Sequence, residues 1–218
     1  MAGEIQRTGS TNRPRVLYLS HAPEDIYDVV RRMAGDEVDL VLMDSNDDAA
    51  RCAAIADCDA VIVASYRLTG THLAAAKKLQ LVHHQGVGWH DTTDWQTIRD
   101  RDIKLAITLS GSTISVAEHT LMLMLAACRH LSHADAELRK GKWLVNALRT
   151  RSREVMGRTV GIIGMGRIGY QVAERLLPFG TTGLYCDPHV TLDAATEQRL
   201  KMHKTDFDTL ISTSDIVT

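Results

Sequence analysis

Thr159-Val160-Gly161-Ile162-Ile163-Gly164-Met165-Gly166-Arg167-Ile168-Gly169 is the stretch that decides the fold. Its first five residues have the β-branched, apolar composition of a buried strand. They run directly into Gly-x-Gly-x-x-Gly, and a helical pattern follows from Tyr170 to Leu177 until Pro178 and Gly180 stop it. Glycines at this spacing also serve ordinary turns, so the meaning comes from the strand before them and the helix after them. In that setting Gly164 permits a tight turn, Gly166 lets the backbone approach a pyrophosphate, and Gly169 lets helix and strand pack closely. The phosphates would sit at the helix N-terminus, where unpaired N–H groups and the helix dipole favour anions.

A second strand, Thr182 to Cys186, ends at Asp187, 21 positions after Gly166. A carboxylate there accepts hydrogen bonds from the adenosine ribose hydroxyls and repels a 2'-phosphate, so the expected cofactor is NAD rather than NADP. Farther along come a weak strand near Lys201 to His203 and another at Ile216 to Thr218. That makes four strands, where a complete Rossmann sheet has about six, so this doubly wound parallel sheet is expected to be incomplete.

Toward the N-terminus the same alternation recurs. Val16 to Ser20, Val38 to Asp44, Ala60 to Ser65, Leu81 to Gln85 and Lys104 to Thr108 read as strands. Between them Glu24 to Ala34, Asp47 to Ala56, Thr71 to Leu79 and Asp94 to Asp100 each carry one apolar stripe, as crossover helices covering a parallel sheet do. The expected organisation is α/β throughout: a flexible tail over 1–14, a flavodoxin-like domain over 15–110 and the nucleotide-binding domain over 111–218. At the junction, a loop from Ser110 to Ile114 leads into Ser115-Val116-Ala117-Glu118, an N-cap with Glu118 at the capping-box position. The helix that follows is apolar all round from Leu121 to Ala127, which calls for a covered position between domains or subunits. Gly141-Lys142-Trp143 and a polar loop through Arg153 complete the segment.

Composition removes several classes. With 25 basic against 27 acidic residues and no basic cluster, nucleic acid is not an expected partner. Leu121 to Cys128 is too short to cross a bilayer, so no membrane role is expected. The four cysteines form no CxxC pair and nothing ahead of them resembles a signal peptide, which suits reduced thiols in a cytoplasmic protein. No metal is expected: His83 and His84 are adjacent on a strand and face opposite sides, and His130 and His133, on one helix face, lack a third ligand. His84 and His90 flank Gly86-Val87-Gly88 and read as supporting or surface residues.

Several segments in order carry a resemblance: Gly86-Val87-Gly88 after a strand, Ser115-Val116-Ala117-Glu118-His119, Gly141-Lys142-Trp143, Gly157 through Gly169, and Ser214-Asp215-Ile216-Val217-Thr218. Together they resemble the D-isomer-specific 2-hydroxyacid dehydrogenase family from about Arg15 to the last residue. The resemblance implies an NAD-dependent oxidoreductase with a substrate domain first, a nucleotide domain second, a cleft between them and a homodimer built around the nucleotide domains. It implies cofactor contacts from Gly164, Gly166, Arg167, Ile168, Gly169 and Asp187 and from Val87 near the nicotinamide. The amides of Val87 and Gly88 would hold the substrate carboxylate.

Relatives that oxidise 3-phosphoglycerate tend to carry arginines where this chain has Ala64 and His84, so a phosphate would lack its fork-shaped partners. The expected substrate is therefore a small unphosphorylated 2-hydroxy or 2-keto acid of the glyoxylate, hydroxypyruvate or lactate type. The family's catalytic arginine, acid and histidine belong after Thr218, so no catalytic residue is assigned within the chain, and the chain alone is expected to be inactive. Two alternatives stay open: an NAD-binding regulatory module of the corepressor kind, and a non-catalytic remnant.

Overall fold

The computed structural model describes residues 13–109 and 111–218, and the chain divides into two compact units, 1–111 and 112–218. Of the tail expected over 1–14, all but Arg13 and Pro14 lies outside the described residues.

The first unit alternates β1 (Arg15–Tyr18), α1 (Glu24–Ala34), β2 (Asp39–Leu42), α2 (Asp48–Ile55), β3 (Ala60–Val63), α3 (Gly70–Ala75), β4 (Leu81–His84), α4 (Trp95–Asp100) and β5 (Lys104–Ile107). All strands pair in parallel in the order β2-β1-β3-β4-β5, the flavodoxin-like order. Leu17, Val61, Val63 and Val82, which the strand register puts on one face of the sheet, have no exposed surface, and neither do Ile55 and Leu73 on the helices, so the core lies between that face and the helices covering it. Asp47 and Asp94 start α2 and α4 by accepting from the amides of Ala50 and Thr97. Each strand ends one or two residues before its apolar run does, because the chain turns out of the sheet at its C-terminal edge. Helix α3 stops at Ala75 rather than Leu79, with Ala76 leaving helical geometry at ψ 88°.

Among the described residues of this unit one charged side chain, that of Arg51, has no exposed surface. Arg51 on α2 donates to the carbonyls of Leu19 and Asn46 and to the Asn46 side chain, and stacks 3.4 Å from the Tyr66 ring centroid. It thereby joins the segments that leave β1, β2 and β3 at the C-terminal edge of the sheet.

The second unit opens with three helices, α5 (Thr113–Cys128), α6 (Leu131–Leu138) and α7 (Val145–Arg149). Then come β6 (Thr159–Ile163), α8 (Arg167–Leu176), β7 (Thr182–Cys186), α9 (Ala194–Leu200), β8 (Met202–Lys204), α10 (Phe207–Thr213) and β9 (Ile216–Val217). The sheet order β8-β7-β6-β9 is that of the first four strands of a doubly wound Rossmann sheet.

Three local expectations need correction. Helix α5 starts at Thr113, so Ser115 is inside its first turn and donates to the Ser112 carbonyl, while Glu118 faces Arg175 at 3.7 Å instead of closing a capping box. The helix breaks at Arg129, and His130, left-handed at φ 52°, caps α6; it does not share a helix face with His133. Helix α7 forms within the segment expected to be loop. The apolar run of α5 packs against α8 through one side only: Met124 is buried, while Met122 and Leu123 are half-exposed.

Candidate functional site

The glycine turn lies between β6 and α8. Gly164 has φ 96°, a conformation L side chains rarely adopt, and its amide donates to the Cys186 carbonyl, carrying the β6–β7 ladder one step past the strand. A Cβ on Gly166 would meet nothing within 4 Å, so open space lies before this backbone. A Cβ on Gly169 would stand 2.1 Å from the Gly164 carbonyl oxygen, so helix and turn touch backbone to backbone there. Helix α8 begins at Arg167, three residues earlier than its apolar pattern announces, with Gly166 as N-cap. The amides of Gly166, Ile168 and Gly169 have no acceptor among the described residues. Open space, unpaired N–H groups and a helix dipole together suit a pyrophosphate, so the residues present fit a dinucleotide.

Asp187 follows β7. One of its oxygens accepts from the amides of His189 and Val190 at 2.7 and 2.8 Å, and the other from the Met165 amide at 2.8 Å. These N–H groups, those of His189 and Val190 above all, hold its carboxyl below the usual carboxylate range. The acid is ionised at neutral pH and keeps lone pairs for ribose hydroxyls.

The first unit carries the other candidate. After β4, Gly86 donates to the His84 carbonyl, Trp89 to that of Val87, and the amides of Val87 and Gly88 have no acceptor among the described residues. Gly88 has open space where a Cβ would be, and Val87 is 54% exposed. Gly86 is a glycine for a different reason: a Cβ there would press on the ring of His84 at 3.0 Å. His84 is buried beneath this loop with Nδ1 lacking a partner among the described residues, while His83 faces the other side and meets the Thr108 hydroxyl at 3.1 Å.

Two features escaped the sequence reading. The segment after β3 and the loop after β4 are laced together at Leu68, whose amide donates to the Thr92 carbonyl and whose carbonyl accepts from Asp94. Trp89, stacked on His90 with ring centroids 3.6 Å apart and edge-on to Trp95, makes an aromatic corner next to Val87-Gly88 in the chain. An adjacent Trp-His pair and a nearby Trp were visible signals. The second feature is Arg51: an arginine in the apolar run Ala49-Ala50-Arg51-Cys52-Ala53-Ala54 was a hint of a buried cation. Among the described residues no three His, Cys, Asp or Glu side chains are grouped to hold a metal ion, and no helix is long and apolar enough to cross a membrane.

Comparison with known proteins agrees with this geometry. Residues 121–218 match the NAD-binding domain of the D-isomer specific 2-hydroxyacid dehydrogenases. The chain is 33% identical over 205 residues to D-3-phosphoglycerate dehydrogenase of Archaeoglobus fulgidus, covering 94% of this chain and 37% of that protein. It is 37% identical over 164 residues to hydroxypyruvate reductase of Thermotoga maritima, covering 75% and 51%. Among solved structures, NAD-dependent formate dehydrogenase from Staphylococcus aureus in complex with NAD superimposes with a TM-score of 0.79 at 26% identity, over 94% of this chain and 63% of that one. The chain thus belongs to the D-isomer specific 2-hydroxyacid dehydrogenase family, and its second unit carries that family's NAD-binding domain. It spans between about a third and a half of the length of these two curated relatives.

Proposed function

We propose that this chain serves hydride transfer between NAD and a small, unphosphorylated 2-hydroxy or 2-keto acid, of the glyoxylate, hydroxypyruvate or lactate type. The observation that carries the reading is the turn at Gly164–Gly169, with open space at Gly166, amides of Gly166, Ile168 and Gly169 that have no acceptor among the described residues, and an ionised acid at Asp187. When bound, NAD supplies the hydride acceptor. The chain's own residues bind and orient: the turn and the first turn of α8, Arg167 and Ile168 included, take the diphosphate, and Asp187 takes the adenosine ribose and disfavours a 2'-phosphate. The amides of Val87 and Gly88 take the substrate carboxylate, which glycine favours because an anion must come close to the backbone. No residue of 1–218 is assigned the proton transfer.

The substrate class rests on Ala64 and His84. Ala64 has no polar group, and His84 lies under the loop instead of offering a guanidinium fork to a phosphate. One observation favours a second reading: Arg67, three residues after Ala64, is exposed and has no ion-pair partner among the described residues, so a substrate with a second anionic group has a cation available. A homodimer through the second unit belongs to the same proposal, supported by the exposed apolar side chains of Met122 and Leu123 on α5 and by Trp143, 76% exposed. The four free cysteines suit a reducing compartment.

The test is to follow backbone amide shifts of the labelled chain while adding hydroxypyruvate, glyoxylate or 3-phosphoglycerate. Shifts at Val87 and Gly88 with the small acids, and tighter binding of these than of 3-phosphoglycerate, are expected. Preference for the phosphorylated acid would overturn the substrate class, and unmoved Val87 and Gly88 amides would overturn the site.

A further inference from the structure

The β6–β7 ladder pairs Ile163 with Cys186 and continues through the Gly164 amide to the Cys186 carbonyl. The next backbone donor, Met165 N–H, has no strand carbonyl left to reach. Asp187 meets it with a side-chain oxygen at 2.8 Å, so the carboxylate supplies the rung that the diverging strands cannot. Its other oxygen is fixed by His189 and Val190, which close a turn over Pro188 and orient the group. On the opposite side the Met165 side chain is anchored in the core, 2% exposed. The middle of the glycine turn is therefore held from both sides, by packing and by this one hydrogen bond.

We propose that Asp187 is a positioning residue for the glycine turn, its carboxylate fixing Met165 and with it the backbone before Gly166 that faces the diphosphate. This rests on the reading that the turn receives NAD, and it changes what Asp187 means for cofactor choice. If the acid only repelled a 2'-phosphate, neutralising it would open the site to NADP. As the latch of the turn as well, it supports the binding of either dinucleotide, so its loss weakens NAD binding and does more than relax the choice between the two.

Asp187→Asn separates the two accounts because it keeps size and shape and removes charge. With the asparagine oxygen retained by His189 and Val190, its NH2 group confronts the Met165 N–H, donor against donor. The experiment uses the full chain, unaltered and as D187N, with dissociation constants for NAD and NADP by calorimetry and amide hydrogen exchange at Met165 by NMR. Faster Met165 exchange and NAD binding weakened about tenfold or more are expected, since a charge-assisted hydrogen bond to a sequestered donor is lost, whereas repulsion of a 2'-phosphate alone predicts unchanged Met165 exchange. Undiminished NAD binding by D187N, or unchanged Met165 exchange, would overturn the proposal.

Asp187→Glu covers the case in which D187N does not fold. It keeps the charge but displaces the oxygens by one methylene, so the latch account expects weaker NAD binding and faster Met165 exchange. Wild-type values for both in D187E would refute it. Should the unaltered chain bind neither dinucleotide, the proposed function fails, while Met165 exchange in the variants still reads the latch.

Discussion

Gly169→Ala sets two opposed effects of known sign against each other. Within a helix, alanine is favoured over glycine by about 0.8–1.0 kcal/mol, so on propensity alone the substitution stabilises α8. The structure predicts the reverse. The new methyl would stand 2.1 Å from the Gly164 carbonyl oxygen and 3.2 Å from both the Gly164 carbonyl carbon and Ile162 Cγ2. Close carbon–oxygen contacts are about 3.3 Å, so the helix must move away by about 1.2 Å, and a backbone carbonyl in a hydrogen-bonded turn cannot swing aside as a side-chain tip can. Overpacking of this kind costs about 1–3 kcal/mol, and a rigid partner puts it at the upper end. Offsetting about 1 kcal/mol of propensity leaves a net loss of about 2 kcal/mol, which lowers Tm by about 4–8 °C for a chain of this length. Thermal unfolding followed by circular dichroism reads the shift. A Tm at or above that of the unaltered chain would refute the claim that α8 touches the turn backbone to backbone.

Gly166→Ala has the opposite profile: with nothing within 4 Å of the new methyl, Tm should hold while calorimetric affinity for NAD falls, because the methyl takes the space assigned to the diphosphate. Unimpaired NAD binding would contradict that assignment. Arg51→Met removes the wholly buried guanidinium and leaves the Leu19 and Asn46 carbonyls unpaired, and a loss of about 2–4 kcal/mol is expected in urea unfolding. A variant as stable as the parent would show that the network contributes nothing net. Asp187, Asp193 and Asp206 all have carboxyls held low by hydrogen bonds from backbone amides. A folded pKa below the unfolded value, about 3.9, means that their contribution is complete above that pH and is lost as pH falls through the lower folded values. Asp206→Asn, which preserves the cap on Thr209, should therefore leave neutral Tm nearly unchanged and flatten the acid limb of the Tm–pH curve. An acid limb as steep as that of the parent would count against this origin.

Much of the fold was legible because a parallel sheet writes itself as short apolar runs separated by amphipathic helices. In the first unit every strand centre lies where the apolar run does, and only the ends differ, since apolarity continues for a residue or two after the backbone has left the sheet, as at Leu19; β8, Met202–Lys204, has no apolar run and left only a weak signal. The start of α8 was hidden because Gly169 looks like a helix breaker; the Gly164 carbonyl beneath it explains why no other residue fits. The break at His130 had no signal, since a left-handed histidine follows from tertiary placement and not from its type. At the site, the glycine turn and Asp187 could be read as local patterns, while Val87 and Gly88 stand out only through the family resemblance. The bond between Met165 and Asp187, and the Arg51 network spanning three loops, could not, because each joins residues far apart in sequence whose meeting depends on strand register.

The central claim is that the Gly164–Gly169 turn receives NAD and that Asp187 selects it over NADP. Titrating the full chain with each dinucleotide, with amide shifts and heat followed together, tests it most directly. The account predicts that NAD moves the amides of Gly166, Ile168 and Gly169 and binds at least about tenfold tighter than NADP. Equal affinity for the two, or NAD binding that leaves those three amides unmoved, would contradict it.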